Sequence, residues 1–193
     1  MFGVTSATGP LLAVASAAKY SPQWILGSVG GDATTLRLIG VPPAVLTGAQ
    51  GASFLPSPAD TTDEYVKLFQ EVNAKYNNNV AFDNNVLVGM NSAMLTVQAL
   101  RAAGKNLTRA GLIAAIQNKG ATFASAGLAP LNYSATSQVG YNGYWFGQYD
   151  SNGVMKPLSG GVVVYTTDSA NGPVVKSTFK RPAMPAKGLP TNS

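Results

Sequence analysis

The chain contains neither cysteine nor histidine in its 193 residues. Without cysteine there is no disulfide and no thiolate nucleophile. Without histidine the commonest metal ligand and the side chain that titrates nearest neutrality are missing. Absence of cysteine is compatible with an exported protein. Charge is also scarce: Asp, Glu, Lys and Arg make up 11% of the chain, against about a quarter in ordinary globular domains. The eight acidic residues do not converge, and their densest group, Asp60, Asp63 and Glu64, reads as a helix start rather than a hard-cation site. Catalysis needs a nucleophile beside a base, two carboxylates with separated pKa values, or a metal. None of these sets is present, so the expectation is a non-enzyme with no cofactor and no metal. The glycine-rich pieces Gly27-Ser-Val-Gly-Gly31 and Gly48-Ala-Gln-Gly51 lack the Gly-Lys-Ser/Thr of a phosphate-binding loop.

The net charge of +5 comes from dispersed residues, among them Lys19, Arg37, Lys67, Arg101 and Arg109, that form no phosphate-tracking stripe. Nucleic acid is therefore not an expected partner. Lys176, Lys180, Arg181 and Lys187 fall in a proline-rich tail and read as a solvated terminus. No run reaches the ~20 apolar residues of a membrane span. Leu11 to Ala17 imitates a signal-peptide core, but no Lys or Arg precedes it and Gly9 and Pro10 interrupt it. The preferred reading is a strand end at Phe2 to Val4, a loop over Thr5 to Thr8, and an internal helix with Pro10 in its first turn. No signal peptide is expected in this chain.

What the chain does have is three helical patterns between Thr61 and Asn118. Tyr65, Leu68, Phe69, Val72 and Tyr76 recur at helical spacing as one apolar face. A second helix is predicted from about Val86 to Ala103, the most buried of the chain, with Met90, Ala93, Met94, Val97 and Leu100 inward and Gly104 at its C-terminal cap. Asn84 or Asn85 is its expected N-cap. A third opens at Thr108 as N-cap, turns Leu112, Ile113 and Ile116 inward, and ends at Gly120. Strands are predicted at Trp24 to Leu26, Ala49 to Phe54, Tyr144 to Tyr149 and Gly161 to Tyr165, with an extended stretch at Pro130 to Ser134.

Several of these segments carry a family likeness: Trp24-Ile-Leu-Gly-Ser-Val-Gly-Gly31, Tyr65-Val-Lys-Leu-Phe69, Gln98-Ala-Leu-Arg-Ala-Ala-Gly-Lys105, Leu107-Thr-Arg109 with Leu112-Ile-Ala-Ala-Ile116, and Gly140-Tyr-Asn-Gly143. In this order the chain resembles the C-terminal half of the branched-chain amino-acid type of periplasmic solute-binding protein, which serves ABC importers. The resemblance implies an α/β fold, a portion of a two-lobed type I periplasmic-binding-protein-like structure with Rossmann-like lobes. Residues 1–52 would be part of the second lobe and 53–130 part of the first, with a crossing at Phe54 to Pro58. Residues 131–193 would return to the second lobe and end in a loosely held tail from Arg181. The implied partners are a small organic solute, an amino acid or a carboxylate-like molecule, an ABC permease, and the missing N-terminal half of the same protein. The implied location of the full protein is periplasmic or extracellular. A sensory domain on the same scaffold, or a fragment with no binding of its own, are the alternatives the resemblance leaves open.

Ligands of this family sit at strand-end loops and helix N-termini, which points to Thr5, Ser6 and Thr8 and to the turn that carries Ser28, Val29 and Asp32. Amino-acid-binding relatives place an acidic residue in that turn to pair with the ligand ammonium, and an ungapped match puts Val29 there. Burying an ammonium without an anion is costly. Val29 therefore favours an aromatic or aliphatic carboxylate held by neutral donors, unless the neighbouring Asp32 substitutes.

Overall fold

The computed structural model describes residues 3–158, 160–166, 173–179, 181 and 184. The chain is an α/β protein that divides into two compact units, Met1–Ser53 with Trp145–Val164, and Phe54–Tyr144 with Tyr165–Ser193.

Unit 1 contains helix α1 (Thr5–Ala17), strand β1 (Ile25–Leu26), helix α2 (Ala33–Leu38), a 3-10 turn (Pro43–Leu46) and strand β2 (Gln50–Ser53). It continues with most of β3 (Gly143–Tyr149) and with β4 (Met155–Pro157). β1 runs parallel to β2, with Ile25 opposite Gln50; a parallel pair needs a crossover, which α2 and the 3-10 turn provide. β2 is antiparallel to β3, with Gly51 opposite Gly147 and Ser53 opposite Trp145, and β4 is antiparallel to β3, with Met155 opposite Tyr149. Along β3, Trp145, Gly147 and Tyr149 turn inward while Tyr144, Phe146 and Gln148 turn outward, the period of two expected for a half-buried strand. Tyr149 joins Leu12, Leu26, Leu36, Leu46 and Ala49 in the core of the unit. Each fully buried leucine there contributes roughly 1.5–3 kcal/mol.

The helix predicted to start near Pro10 begins five residues earlier. The Val4 carbonyl accepts the N–H groups of Ala7 and Thr8, both at 3.0 Å, so Thr5 to Thr8 form the first turn rather than a loop. Pro10 lies inside the helix, where its missing N–H would have met the Ser6 carbonyl; both residues are exposed, so solvent can serve that oxygen. The short helix α2 is absent from the sequence reading because Ala-Thr-Thr-Leu-Arg-Leu is too brief for a periodic pattern and carries two β-branched threonines.

Unit 2 contains α3 (Glu64–Tyr76), α4 (Asn84–Ala103), α5 (Arg109–Lys119), a 3-10 turn (Gly120–Thr122), the paired residues of β5 (Val164–Thr166), and β6 (Val175–Lys176). β5 and β6 are antiparallel, with Tyr165 opposite Lys176. α4 packs along α5, and Leu55, Tyr65, Val66, Phe69, Leu87, Met94 and Ala126 form the main core of the unit. The segment Pro130 to Ser134 has no regular structure, and the β candidate at Gly161 to Tyr165 forms as Val164–Thr166.

The helices are as expected, but two present a different face. In α3 the buried residues are Tyr65, Val66, Phe69 and Asn73, while Val72 and Tyr76 are exposed, Tyr76 at 72%. In α4 the buried residues are Leu87, Asn91, Met94, Gln98 and Ala99; of the five predicted inward positions only Met94 is fully buried, and Ala93, Val97 and Leu100 are exposed. The cause is the same in both. Buried amide side chains tie off neighbouring backbone. Asn73 Nδ2 donates to the Val80 carbonyl at 2.7 Å. Gln98 donates to the Ala124 carbonyl at 2.8 Å and accepts the Ala124 N–H at 2.7 Å. Asn91 Oδ1 accepts the Ala126 N–H at 2.8 Å. A pattern search assigns Asn and Gln to the solvent side, so the face that contains them is misplaced by about one position.

α4 is capped by Asp83, whose carboxylate accepts the Val86 N–H at 2.8 Å, rather than by Asn84 or Asn85. By length and mean hydropathy α4 could also cross a bilayer, but its two anchored amides make it a packing helix of unit 2. In α5, Thr108 caps as predicted and Leu112 and Ile116 pack inward with Phe123 and Leu131; Ile113 is exposed. Most of the predicted tail lies outside the described residues, but Arg181 is not a solvated cation. Its guanidinium pairs with the Asp63 carboxylate, donates to the Ala126 carbonyl at 3.0 Å and lies over the Tyr65 ring at 4.9 Å. The Met184 N–H donates to Glu64 at 2.9 Å. Asp63 also caps α3, so one carboxylate serves a helix start and a cation.

Candidate functional site

The six residues singled out by sequence all lie in unit 1, on two segments: the start of α1 and the turn between β1 and α2. Gly30 joins them. A Cβ at position 30 would lie 2.6 Å from the Gly3 carbonyl oxygen and 2.8 Å from Thr8 Oγ1, so the turn approaches the start of α1 to a distance that only glycine permits.

α1 is the one α-helix among the described residues whose start has no side-chain cap. Asp32, Asp63, Asp83 and Thr108 cap α2 to α5, whereas the N-cap of α1 is Val4 in extended conformation. The N–H groups of Thr5 and Ser6 precede the first intrahelical bond and carry the positive end of the helix dipole. Thr5 is half-buried and Ser6 exposed. Thr8 differs: it is fully buried, and its hydroxyl donates back to the Val4 carbonyl at 3.2 Å. Thr8 thus closes the first turn and forms the surface on which Gly30 rests.

In the turn, the Gly31 N–H donates to the Gly27 carbonyl at 2.9 Å and the Asp32 N–H to the Val29 carbonyl at 3.2 Å. This folding turns Ser28 and Val29 outward, Val29 to 62% exposure. Asp32 is buried, and its Oδ1 accepts the Thr35 N–H at 2.7 Å to cap α2. Beneath the turn is Tyr149, whose ring and hydroxyl stand where a Cβ on Gly31 or Gly51 would fall. Burial, and secondarily the negative charge of Asp32, push the Tyr149 phenol up to about 12. The neutral phenol is therefore the form present at any ordinary pH.

The arrangement offers neutral donors and one helix dipole, which suits an anionic or polar oxygen. Among the described residues no three Asp, Glu, His or Cys side chains gather as a metal site. Sequence reasoning missed the contribution of Gly30 and of Tyr149. The doublet Gly30-Gly31 was the available signal for a close backbone approach, and the outcome for Tyr149 depends on strand register, which short-range pattern does not give.

Residues 1–154 match the family model described as "Periplasmic binding protein". No curated protein sequence matches the chain. Among solved structures, a possible leucine/isoleucine/valine-binding protein from Rhodopirellula baltica aligns with 18% identity and a TM-score of 0.69, over 81% of this chain and 41% of its own. A substrate-binding periplasmic protein from Ralstonia solanacearum aligns with 18% identity and a TM-score of 0.70, over 81% and 44%. A fatty acid ABC transporter substrate-binding protein from Thermomonospora curvata aligns with 21% identity and a TM-score of 0.57, over 94% and 44%. At these identities the likeness speaks to fold, and the fold matched is part of the type I periplasmic binding architecture. The chain spans less than half the length of each of these structures.

Proposed function

Because the chain belongs to the periplasmic binding protein family, we propose that it is the solute-recognition part of an ABC importer and that its solute is a small aliphatic or aromatic carboxylate rather than a free amino acid. Unit 1 corresponds to part of the second lobe and unit 2 to part of the first. The solute carboxylate docks at the α1 N-terminus, on the N–H groups of Thr5 and Ser6 and their hydroxyls, with Ser28 completing the donors. Val29 faces the apolar remainder of the solute. Thr8 and Asp32 are positioning residues, which fix the first turn of α1 and the start of α2.

The observation that carries this reading is the uncapped start of α1 beside an exposed Val29. A carboxylate there would receive two charge-assisted backbone bonds, whereas an ammonium would meet no anion at position 29. The one nearby acid, Asp32, has an oxygen engaged as a helix cap. The fatty-acid transporter neighbour is in keeping with this solute class. Closure of two lobes on the solute then presents a binding-competent surface to a permease. That closure needs the further segments that the solved relatives possess, together with this chain.

Titration calorimetry on the two-lobed protein with hexanoate, phenylacetate, leucine and valine tests the proposal. Hexanoate or phenylacetate should bind, and Ser6→Ala should weaken binding by roughly tenfold or more, the equivalent of about 1.5 kcal/mol for one hydrogen bond to a charged group. Leucine bound more tightly than either carboxylate would refute the solute assignment.

A further inference from the structure

The sequence holds three Asn-Gly pairs, which begin at Asn142, Asn152 and Asn171. The dipeptide is chemically weak, because the glycine has no Cβ to keep its backbone nitrogen from the side-chain amide carbon of the asparagine before it. The third pair lies outside the described residues, but the first two occupy opposite environments. Gly143 is buried and opens β3, and Asn142 Oδ1 is enclosed by the protein. That amide is packed in place, so it can neither turn onto the following nitrogen nor meet water unless the start of β3 opens.

Asn152 lies in the turn between β3 and β4, and its side chain is exposed. No described residue forms a hydrogen bond to its side-chain amide. The turn is held through its backbone instead. The N–H groups of Asn152 and Val154 donate to Asp150 Oδ1, both at 2.9 Å, and the Gly153 N–H donates to the Asp150 carbonyl at 3.0 Å. The last is one local bond at an exposed turn, and loop motions open such bonds far faster than amides react. The glycine cannot be dispensed with: Gly153 has φ +73, and a Cβ there would lie 2.9 Å from Ala33 Cβ and 3.1 Å from Pro43 Cβ. The fold thus requires the residue that makes Asn152 labile.

We propose that Asn152 is a self-modification site, converted to aspartate and isoaspartate through attack of the Gly153 backbone nitrogen on its side-chain amide. The bond from the Gly153 nitrogen to Asn152 Cγ forms and the Cγ–Nδ2 bond breaks. Nδ2 leaves as ammonia with the proton that the Gly153 nitrogen gives up. Solvent water then opens the cyclic imide at either carbonyl, and no redox partner is needed. Both products add a carboxylate near Asp150, and isoaspartate also lengthens the backbone of the turn by one carbon. Ala33 and Pro43 leave no room for that length, and Ala33 is the first residue of α2, so the isoaspartyl form loosens the start of that helix. None of this depends on which solute unit 1 binds.

Incubation of the 193-residue chain at mildly alkaline pH and body temperature, followed by peptide mass mapping with electron-transfer fragmentation, tests the proposal. Asn152 should convert at least about tenfold faster than Asn142, as expected when one group reacts from the native state and the other only after local opening. In concentrated urea, where both pairs lie in an open chain, the two should convert at nearly the same rate. An intact Asn152, equal rates in the folded chain, or a preference that persists in urea would each overturn the proposal. Asn152→Gln keeps an exposed amide but would need a larger ring, so position 152 should then stay intact; its conversion would point to direct hydrolysis by solvent and overturn the attack by the Gly153 nitrogen. In the isoaspartyl fraction, hydrogen exchange should quicken severalfold in α2 and not in α4. Unchanged exchange in α2 would overturn the coupling of the turn to that helix.

Discussion

The two units are held together by different devices. Unit 1 relies on close backbone approach: Gly30 rests on Gly3 and Thr8, Gly31 and Gly51 on Tyr149, and a Cβ on Gly147 would lie 2.6 Å from the Lys156 carbonyl oxygen. Unit 2 relies on side chains that bond to backbone: Asn73, Asn91 and Gln98 in its interior, Asp63, Asp83 and Thr108 at its helix starts, and Arg181 across Asp63 and Ala126. The first kind of structure fails when volume is added; the second fails when a polar group is removed. That difference can be measured one substitution at a time.

The largest expected loss is in unit 2. Asn91→Ala leaves the Ala126 N–H without its acceptor in a buried site and removes the partner of the Tyr141 hydroxyl. It should cost about 3 kcal/mol in urea denaturation, near the upper end for a buried unsatisfied group. Hydrogen exchange should quicken in α4 and around Ala126 before it does in β2 and β3. A uniform rise across both units would mean that they open together and that the contrast has no energetic content.

Next comes the reciprocal test in unit 1. Gly30→Ala forces the turn away from the α1 start and should cost about 2 kcal/mol, typical of overpacking against backbone, with faster exchange in α1 and α2. Gly89 of α4 has nothing within 4 Å of its Cβ position, so Gly89→Ala should stabilise by a few tenths of a kcal/mol up to about 1. If Gly30→Ala were as benign as Gly89→Ala, close packing would not be the device that holds unit 1.

A smaller effect is expected for Arg181. In a double-mutant cycle with Asp63→Asn, which keeps an oxygen for the α3 cap, Arg181→Ala should give a coupling of about 1 kcal/mol, since the carboxylate is largely buried. A coupling indistinguishable from zero would return Arg181 to the solvated tail suggested by sequence.

The contribution of Tyr149 varies with pH only in the alkaline range. Its folded-state pKa, about 12, lies above the ordinary value near 10, so the unfolded chain releases this proton first. Stability from this group is complete below pH 10 and is lost as pH rises from about 10 to about 12. Tyr149→Phe should remove that part of the alkaline decline, seen as a shallower slope in urea midpoints between these values. An unchanged slope would mean that the phenol is solvated when folded.

The existence of α3, α4 and α5, the Thr108 cap, Gly104 as a stop and the strand at β3 were legible because each is a local signal with a local cause. Gly104 has φ +78, the conformation that makes glycine the usual stop. The facing of α3 and α4 was not legible, since it depends on which backbone groups arrive opposite Asn73, Asn91 and Gln98 from remote segments. Arg181 was misread for the same reason: its partner Asp63 is 118 positions away. At the candidate site the short polar residues were visible, but the division between the outward Thr5, Ser6, Ser28 and Val29 and the inward Thr8 and Asp32 came only with the turn geometry.

Helix α4 has a consequence for partitioning. Taken out of the fold, its 20 residues are long and apolar enough to enter a bilayer. Asn91, Gln98 and Arg101 oppose that, because their amides and charge would be stripped of water in hydrocarbon. The side chains that fasten loops in the folded unit thus also bias the exposed helix toward water, and a peptide of this helix with both amides made leucine would be expected to bind lipid vesicles more strongly than the unaltered one.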